Sequence, residues 1–368
     1  LANNSVSYKF KPDMDTFMRE WLALYESKSG ERGIFNRQAA KKQASLNGRR
    51  DAEQEFGCNP CSEIILRPYQ FCNLSEVVVR SSDTQQSLTE KVRLATILGT
   101  FQSTLTDFKY LRNVWKKNTE EERLLGVSLT GIMDNAMMSG KSTHLGMNIG
   151  ATLNALKEQA ITTNAAMAEQ LGISQSAAIT CVKPSGTVSQ LVDSASGIHA
   201  RHNPYYIRTV RGDNKDPITQ FLVSEGIPAE PDVMKPDSTT VFSFPMKSPH
   251  SAVTRFDMTA IEQLELWLLY QRHWCEHKPS VTISVKEHEW MEVGAWVYNH
   301  FDEVSGISFL PFSEHTYKQA PYQDCTVEEY GEMLKQMPKK VNWELLREYE
   351  KEDTTSGGRE LACTAGVC

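Results

Sequence analysis

The chain has 368 residues, an apolar content of 40%, a charged content of 23% and a net charge of −7. That balance excludes a disordered, collagenous or coiled-coil protein and leaves room for one large or two medium domains. The mild acidity argues against a nucleic-acid binder, and no apolar run is long enough to span a membrane as a helix.

Taken in chain order, Pro12 followed by Phe17, Trp21, Leu24 and Tyr25 predicts an amphipathic helix to about Ser27. Residues 36–57 are polar and charged and read as a surface stretch. From 58 to 80 the chain carries three cysteines, then the strand-forming run Val77-Val78-Val79. Leu88 to Leu111 is helix-forming, and Thr119 with Glu122 has capping-box spacing before a buried segment, Leu124 to Leu129, that Gly131 ends. Residues 151–171 read as a helix and Ala177–Val182 as a strand. Residues 213–257 are rich in Pro, Asp and Ser and read as loop with short strands. Helices at 261–277 and 287–299 alternate with strands at 280–285 and 307–310. Alternating strands and helices predict an α/β architecture with parallel strands. Residues 353–368 lack apolar periodicity and read as a flexible tail.

Eight cysteines stand at 58, 61, 72, 181, 275, 325, 363 and 368. In a large chain with no export signal, uneven clustering suits a reducing compartment, the cytoplasm, with redox or metal-binding thiols. The densest cluster is Cys58-Asn59-Pro60-Cys61-Ser62-Glu63, followed by Cys72. Pro60 biases Asn59 towards extended backbone. If 59–63 is extended, Asn59, Cys61 and Glu63 lie on one face, about 6.6 Å apart. An amide, a thiol and a carboxylate then meet one small substrate: the amide bonds hydroxyls, and the carboxylate takes a hydroxyl proton. The same residues fit a structural loop, half a zinc site or a redox dithiol.

Two further features carry chemistry. Cys363 and Cys368 form a pair near the end of the chain. A tethered dithiol can visit a distant disulfide at high effective concentration, and such a pair can also bind a metal. After the 177–182 strand comes Lys183-Pro184-Ser185-Gly186-Thr187, a turn suited to a phosphate or to serving only as a connector. His273 and His277 stand four apart on a predicted helix, spacing that also suits a helix end. Tyr205 and Tyr206 read as packing residues.

The ordered set of Asn59-Pro-Cys61-x-Glu63, Phe71-Cys72-Asn73-Leu74, Lys183-Pro-Ser-Gly-Thr187, Ser308-Phe-Leu-Pro311, Gln319-Ala-Pro321 and the terminal cysteine pair resembles ribonucleotide reductase. The likeness is to the adenosylcobalamin-dependent class, in particular its monomeric triphosphate reductases. It implies a ten-stranded α/β barrel around a finger loop, of which this chain, over 1–350, is the C-terminal part, with 351–368 a redox tail. It implies that Cys61 is the thiyl-radical cysteine, Glu63 the base on the 3′-hydroxyl and Asn59 a substrate partner. Cys72 matches one of two reducing cysteines, and Cys363 and Cys368 the pair that restores them and passes oxidation to thioredoxin. Ser185, Gly186 and Thr187 match a loop for the ribonucleotide's phosphate. The resemblance assigns no metal site.

In this family the partner of Cys72 and the effector region lie N-terminal to the finger loop, so the resemblance implies that an N-terminal half is needed for activity. An iron-dependent large subunit, which uses a tyrosine pair downstream of the phosphate loop, and a non-catalytic half that only assembles with an N-terminal chain are the alternatives.

Overall fold

A computed structural model describes residues 5–30, 32–141, 148–312 and 317–351. In chain order the elements are β1 (Val6–Tyr8), α1 (Met14–Ser27), β2 (Gly33–Asn36), α2 (Arg37–Ser45), β3 (Gly57–Cys58), β4 (Ile65–Leu66), β5 (Asn73–Val78), α3 (Gln85–Gln102), α4 (Asn113–Glu122), β6 (Leu125–Thr130), α5 (Ile149–Leu171), β7 (Thr180–Cys181) and α6 (Val188–Leu191). They continue as β8 (Tyr205–Asp213), α7 (Pro217–Ser224), β9 (Ala229–Pro231), β10 (Thr239–Lys247), α8 (Ala260–His273), β11 (Thr282–Val285), α9 (Trp290–Asn299), β12 (Ile307–Pro311), β13 (Tyr322–Asp324), α10 (Val327–Gln336) and α11 (Leu346–Tyr349). None of the described helices is long and apolar enough to cross a membrane.

The chain divides into two compact units. The larger, residues 3–201 and 251–312, holds one extended apolar core. Its helices form for ordinary reasons. Asp13 caps α1 by accepting from Thr16 N–H, and Phe17, Trp21 and Leu24 then bury one stripe. Thr259 and Glu262 close a capping box on α8, whose Trp267 and Tyr270 are fully buried.

The larger unit contains a parallel sheet in the order β5-β6-β7 and a second sheet in the order β1-β2-β12-β11. In the second, β1–β2 and β11–β12 are parallel, while β12–β2 is antiparallel. A bridge between Val182 and Pro279 stitches the edge of one sheet to the edge of the other. In the smaller unit, described over residues 202–250 and 317–351, the sheet β13-β8-β10-β9 is antiparallel throughout. Tyr206 is buried on β8 against Tyr322, and Tyr205 packs on Tyr330.

Five expectations from the sequence need correction. Residues 36–57 are not all surface: Asn36 caps α2, which buries Ala39, Ala40, Gln43 and Ala44. The helix expected over 88–111 ends at Gln102. Thr119 and Glu122 cap nothing; they lie at the C-terminal end of α4, where Glu122 pairs with buried Arg50 and Arg123 turns left-handed (φ +41°). Residues 213–257 contain the nine-residue strand β10, whose partner β8 supplies the pairing that Pro and Ser content does not reveal. Parallel pairing holds in the larger unit only, and there with the β12–β2 and β3–β4 pairs as exceptions.

Candidate functional site

The Asn-Pro-Cys-Ser-Glu segment is the tip of a hairpin. β3 and β4 pair antiparallel, with Cys58 opposite Ile65. The expected extended run at 59–63 is therefore a correction: Ser62 N–H donates to Asn59 O at 2.8 Å, closing a turn with Pro60 and Cys61 at its centre. Pro60 presets the turn, and Ser62 leaves it in the left-handed region (φ +67°). Asn59 does not simply face outward. Its Oδ1 accepts from Ile64 N–H at 3.0 Å and holds the hairpin together.

This turn separates the environments of its two chemical groups. Cys61 is exposed at the tip, whereas Glu63 is fully buried. Lys183 Nζ donates to Glu63 Oε1 at 3.3 Å, and Glu63 Oε2 has no partner. A buried carboxylate with one oxygen unsatisfied is costly unless a ligand completes it. Partial burial first, and the Glu63 charge second, push the Cys61 thiol above its ordinary pKa, so it stays protonated at neutral pH. Burial opposes the charge on Lys183, but Glu63 and Cys61 outweigh it and raise its pKa.

The phosphate-turn residues reach the same place. Lys183 N–H donates to Ser128 Oγ on β6 at 2.8 Å. Ser185 is buried and donates to Glu76 Oε2 on β5 at 2.6 Å, while Gly186 and Thr187 are exposed. Burial raises the pKa of Glu76 more than Ser185 and Lys183 lower it, and its Oε1 is unpartnered. Glu76, Ser128 and Cys181 stand in register across the parallel sheet, so their side chains share a face. The following helix, α6, is a single turn, so exposed backbone rather than a long dipole is what this loop offers an anion.

Cys72 lies beside the hairpin. A Cβ on Gly126 would fall 3.0 Å from Ile64 Cδ1, 3.3 Å from Cys72 Sγ and 2.4 Å from Leu74 Cδ2, so only glycine lets these side chains converge there. Burial, then Glu63, drive the Cys72 thiol far above its ordinary pKa. Cys58 belongs to a different cluster, with Phe35, Ala40, Phe56 and Ile65, while Cys72 packs with Leu66, Leu124 and Ala178. Both are free thiols. Cys363 and Cys368 lie outside the described residues.

The two histidines do not converge. His273 contacts Asn154, and His277 is buried, with Nε2–H donating to Leu125 O at 2.9 Å and Nδ1 accepting from Ile65 N–H at 3.3 Å. Burial draws the pKa of His277 down to about 3, so it is a neutral brace behind β4. Among the described residues no group of three His, Cys, Asp or Glu side chains is arranged to hold a metal ion.

Sequence reasoning placed Lys183 only in the phosphate turn and gave no role to Glu76, Lys278 or Ser280. One signal was available. The tripeptide Lys-Pro-Ser occurs at 183–185 and again at 278–280, and both copies border the hairpin tip, joined by the Val182–Pro279 bridge.

No protein-family model matches the chain. It is 28% identical over 324 residues to an adenosylcobalamin-dependent ribonucleoside-triphosphate reductase of Euglena gracilis, covering 85% of this chain and 42% of that protein. Proteins of the same name from Lacticaseibacillus paracasei and Lactobacillus helveticus are 27% and 26% identical, covering 89% and 100% of this chain and 47% and 52% of theirs. The crystal structure of a B12-dependent class II ribonucleotide reductase superposes with a TM-score of 0.76 at 22% identity, over 95% of this chain and 52% of that one. The resemblance read from the motifs thus extends across most of the chain and to its fold, and the chain spans about half the length of the curated relatives it matches.

Proposed function

We propose that this chain is the C-terminal, finger-loop-bearing part of an adenosylcobalamin-dependent ribonucleotide reductase that converts ribonucleotides, as triphosphates, to 2′-deoxyribonucleotides. The observation that carries the reading is the exposed Cys61 two residues from buried Glu63, whose Oε2 has no partner. In this reading the strands of the larger unit are part of a barrel around the hairpin.

A thiol that gives up and regains a hydrogen atom must not be a thiolate. Cys61 meets that condition: once a radical source had removed its S–H hydrogen, the resulting sulfur radical would take the 3′-hydrogen of the ribose and give it back at the end of the cycle. Glu63 Oε2 accepts the 3′-hydroxyl proton, with Lys183 compensating the charge on Oε1. Asn59, whose Oδ1 is committed to the loop, offers its Nδ2–H groups to the sugar. Ser185, Gly186 and Thr187, beside Lys183, receive the phosphate. Cys72 supplies reducing equivalents with a partner thiol from an N-terminal half, and Cys363 and Cys368 restore the pair and deliver oxidation to thioredoxin.

The relatives' names favour adenosylcobalamin over the iron-dependent alternative. The exposed sulfur at the loop tip is accessible to a radical source, and the cofactor would supply the radical when bound. Assembly with an N-terminal half is supported by a stripe on α3, where Leu94, Leu98 and Phe101, with Leu105 beyond it, are 52%, 64%, 48% and 72% exposed. The test is turnover of the assembled enzyme. Cys61→Ser abolishes deoxyribonucleotide formation, and substituting Cys363 and Cys368 stops turnover with thioredoxin but spares it with a small dithiol. Ribonucleotide reduction by the Cys61→Ser enzyme would overturn the proposal.

A further inference from the structure

Three consecutive residues of the hairpin tip each take one hydrogen bond from a single short segment. Ser280 Oγ donates to Cys61 O at 2.5 Å. Lys278 Nζ donates to Ser62 Oγ at 2.7 Å, and Lys278 N–H to Glu63 O at 3.3 Å. The segment is itself anchored, because Val182 N–H donates to Lys278 O and Ser280 N–H to Val182 O.

Lys278 is fully buried. Its ammonium has one further acceptor, Gly306 O at 3.4 Å, and faces the Phe35 ring at 5.7 Å. Burying an ammonium is expensive, and an apolar side chain of similar volume is often at least as stable in such a place. What the cation does here is local. It fixes the hydroxyl of Ser62, which in turn donates to Cys58 Sγ at 3.4 Å, at the one tip residue with left-handed backbone. The space is made by Gly306, where a Cβ would lie 2.0 Å from Lys278 Nζ and 2.8 Å from Ser62 Oγ.

We propose that Lys278 and Ser280 clamp the hairpin tip as positioning residues, Lys278 acting through Ser62 and Ser280 through the carbonyl of Cys61. The clamp holds Cys61 Sγ and the Glu63 carboxylate at a fixed separation. Its consequence for turnover rests on the proposed role of Cys61, but its existence does not.

The experiment is amide hydrogen exchange across residues 57–66, with iodoacetamide alkylation of Cys61 mapped by mass spectrometry. The full 368-residue chain is compared as wild type, Lys278→Met, Ser62→Ala, the double variant and Ser280→Ala. Each single change is expected to speed exchange at Ser62 and Ile64 by about tenfold or more while β6 amides keep their protection. Each also lowers the pH midpoint of Cys61 alkylation towards that of an ordinary thiol. The double variant exchanges no faster than its single parents.

Unchanged loop exchange in Lys278→Met and Ser280→Ala overturns the clamp, and additive effects in the double variant overturn action through Ser62. Exchange rising equally in β6 would make Lys278 a support of the whole fold instead. If Lys278→Met fails to fold, Ser280→Ala decides. None of these readouts uses ribonucleotide, so the clamp stands or falls independently of the proposed reaction.

Discussion

Replacing Lys183 by Met removes the cation hydrogen-bonded to Glu63 and leaves the other residues of the site in place. At 3.3 Å the Coulomb attraction is about 5 kcal/mol with an effective dielectric of about 20. The Lys183 side chain is 35% exposed, so screening reduces this to about 2–3 kcal/mol. At about 1.4 kcal/mol per factor of ten, that is about 30- to 150-fold in any step that uses the Glu63 charge. Lys278, Cys61, Cys72 and Cys181 also feel the Glu63 charge and are unchanged in the variant.

If Glu63 takes the hydroxyl proton, kcat/KM of the assembled Lys183→Met enzyme should fall by about 30- to 150-fold. A Lys183→Met enzyme whose kcat/KM stays within about threefold of the wild type would refute the reasoning, because a fully buried carboxylate cannot lose its counter-ion without consequence.

Three other outcomes are expected. Burial places the Lys278 pKa at about 8, below its ordinary 10.5, so between those values the unfolded chain holds a proton that the folded chain has released. Stability of the wild type relative to Lys278→Met should therefore rise between pH 8 and 10.5, by about 1–3 kcal/mol in urea unfolding. Arg50→Met strips the buried partner from Glu122 and Gln70 and should cost about 3–5 kcal/mol by the same assay. Cys61→Ser, at an exposed turn position, should change stability by less than about 0.5 kcal/mol, so its effect on turnover can be read as chemistry.

Local pattern was enough to locate α1, β6, α5, β11 and β12, because each carries its own periodicity and stop signals, such as Gly131 at φ +79°. It was also enough to single out Asn59, Cys61 and Glu63, because rare side chains crowded into one short run stand out whatever the backbone does. α2 was hidden because its apolar face is built from small alanines, and β10 because strand pairing is a property of two segments.

The site was decided by tertiary structure. A proline before Cys61 suits an extended chain as well as a turn, and the turn prevails because the paired strands β3 and β4 must be joined within six residues. The counter-ion of Glu63 stands 120 residues away, and the bonds that hold the tip come from more than 200 residues away. Which cation meets which carboxylate depends on strand order and register, and those are set by burial of the whole core rather than by any short stretch of residues.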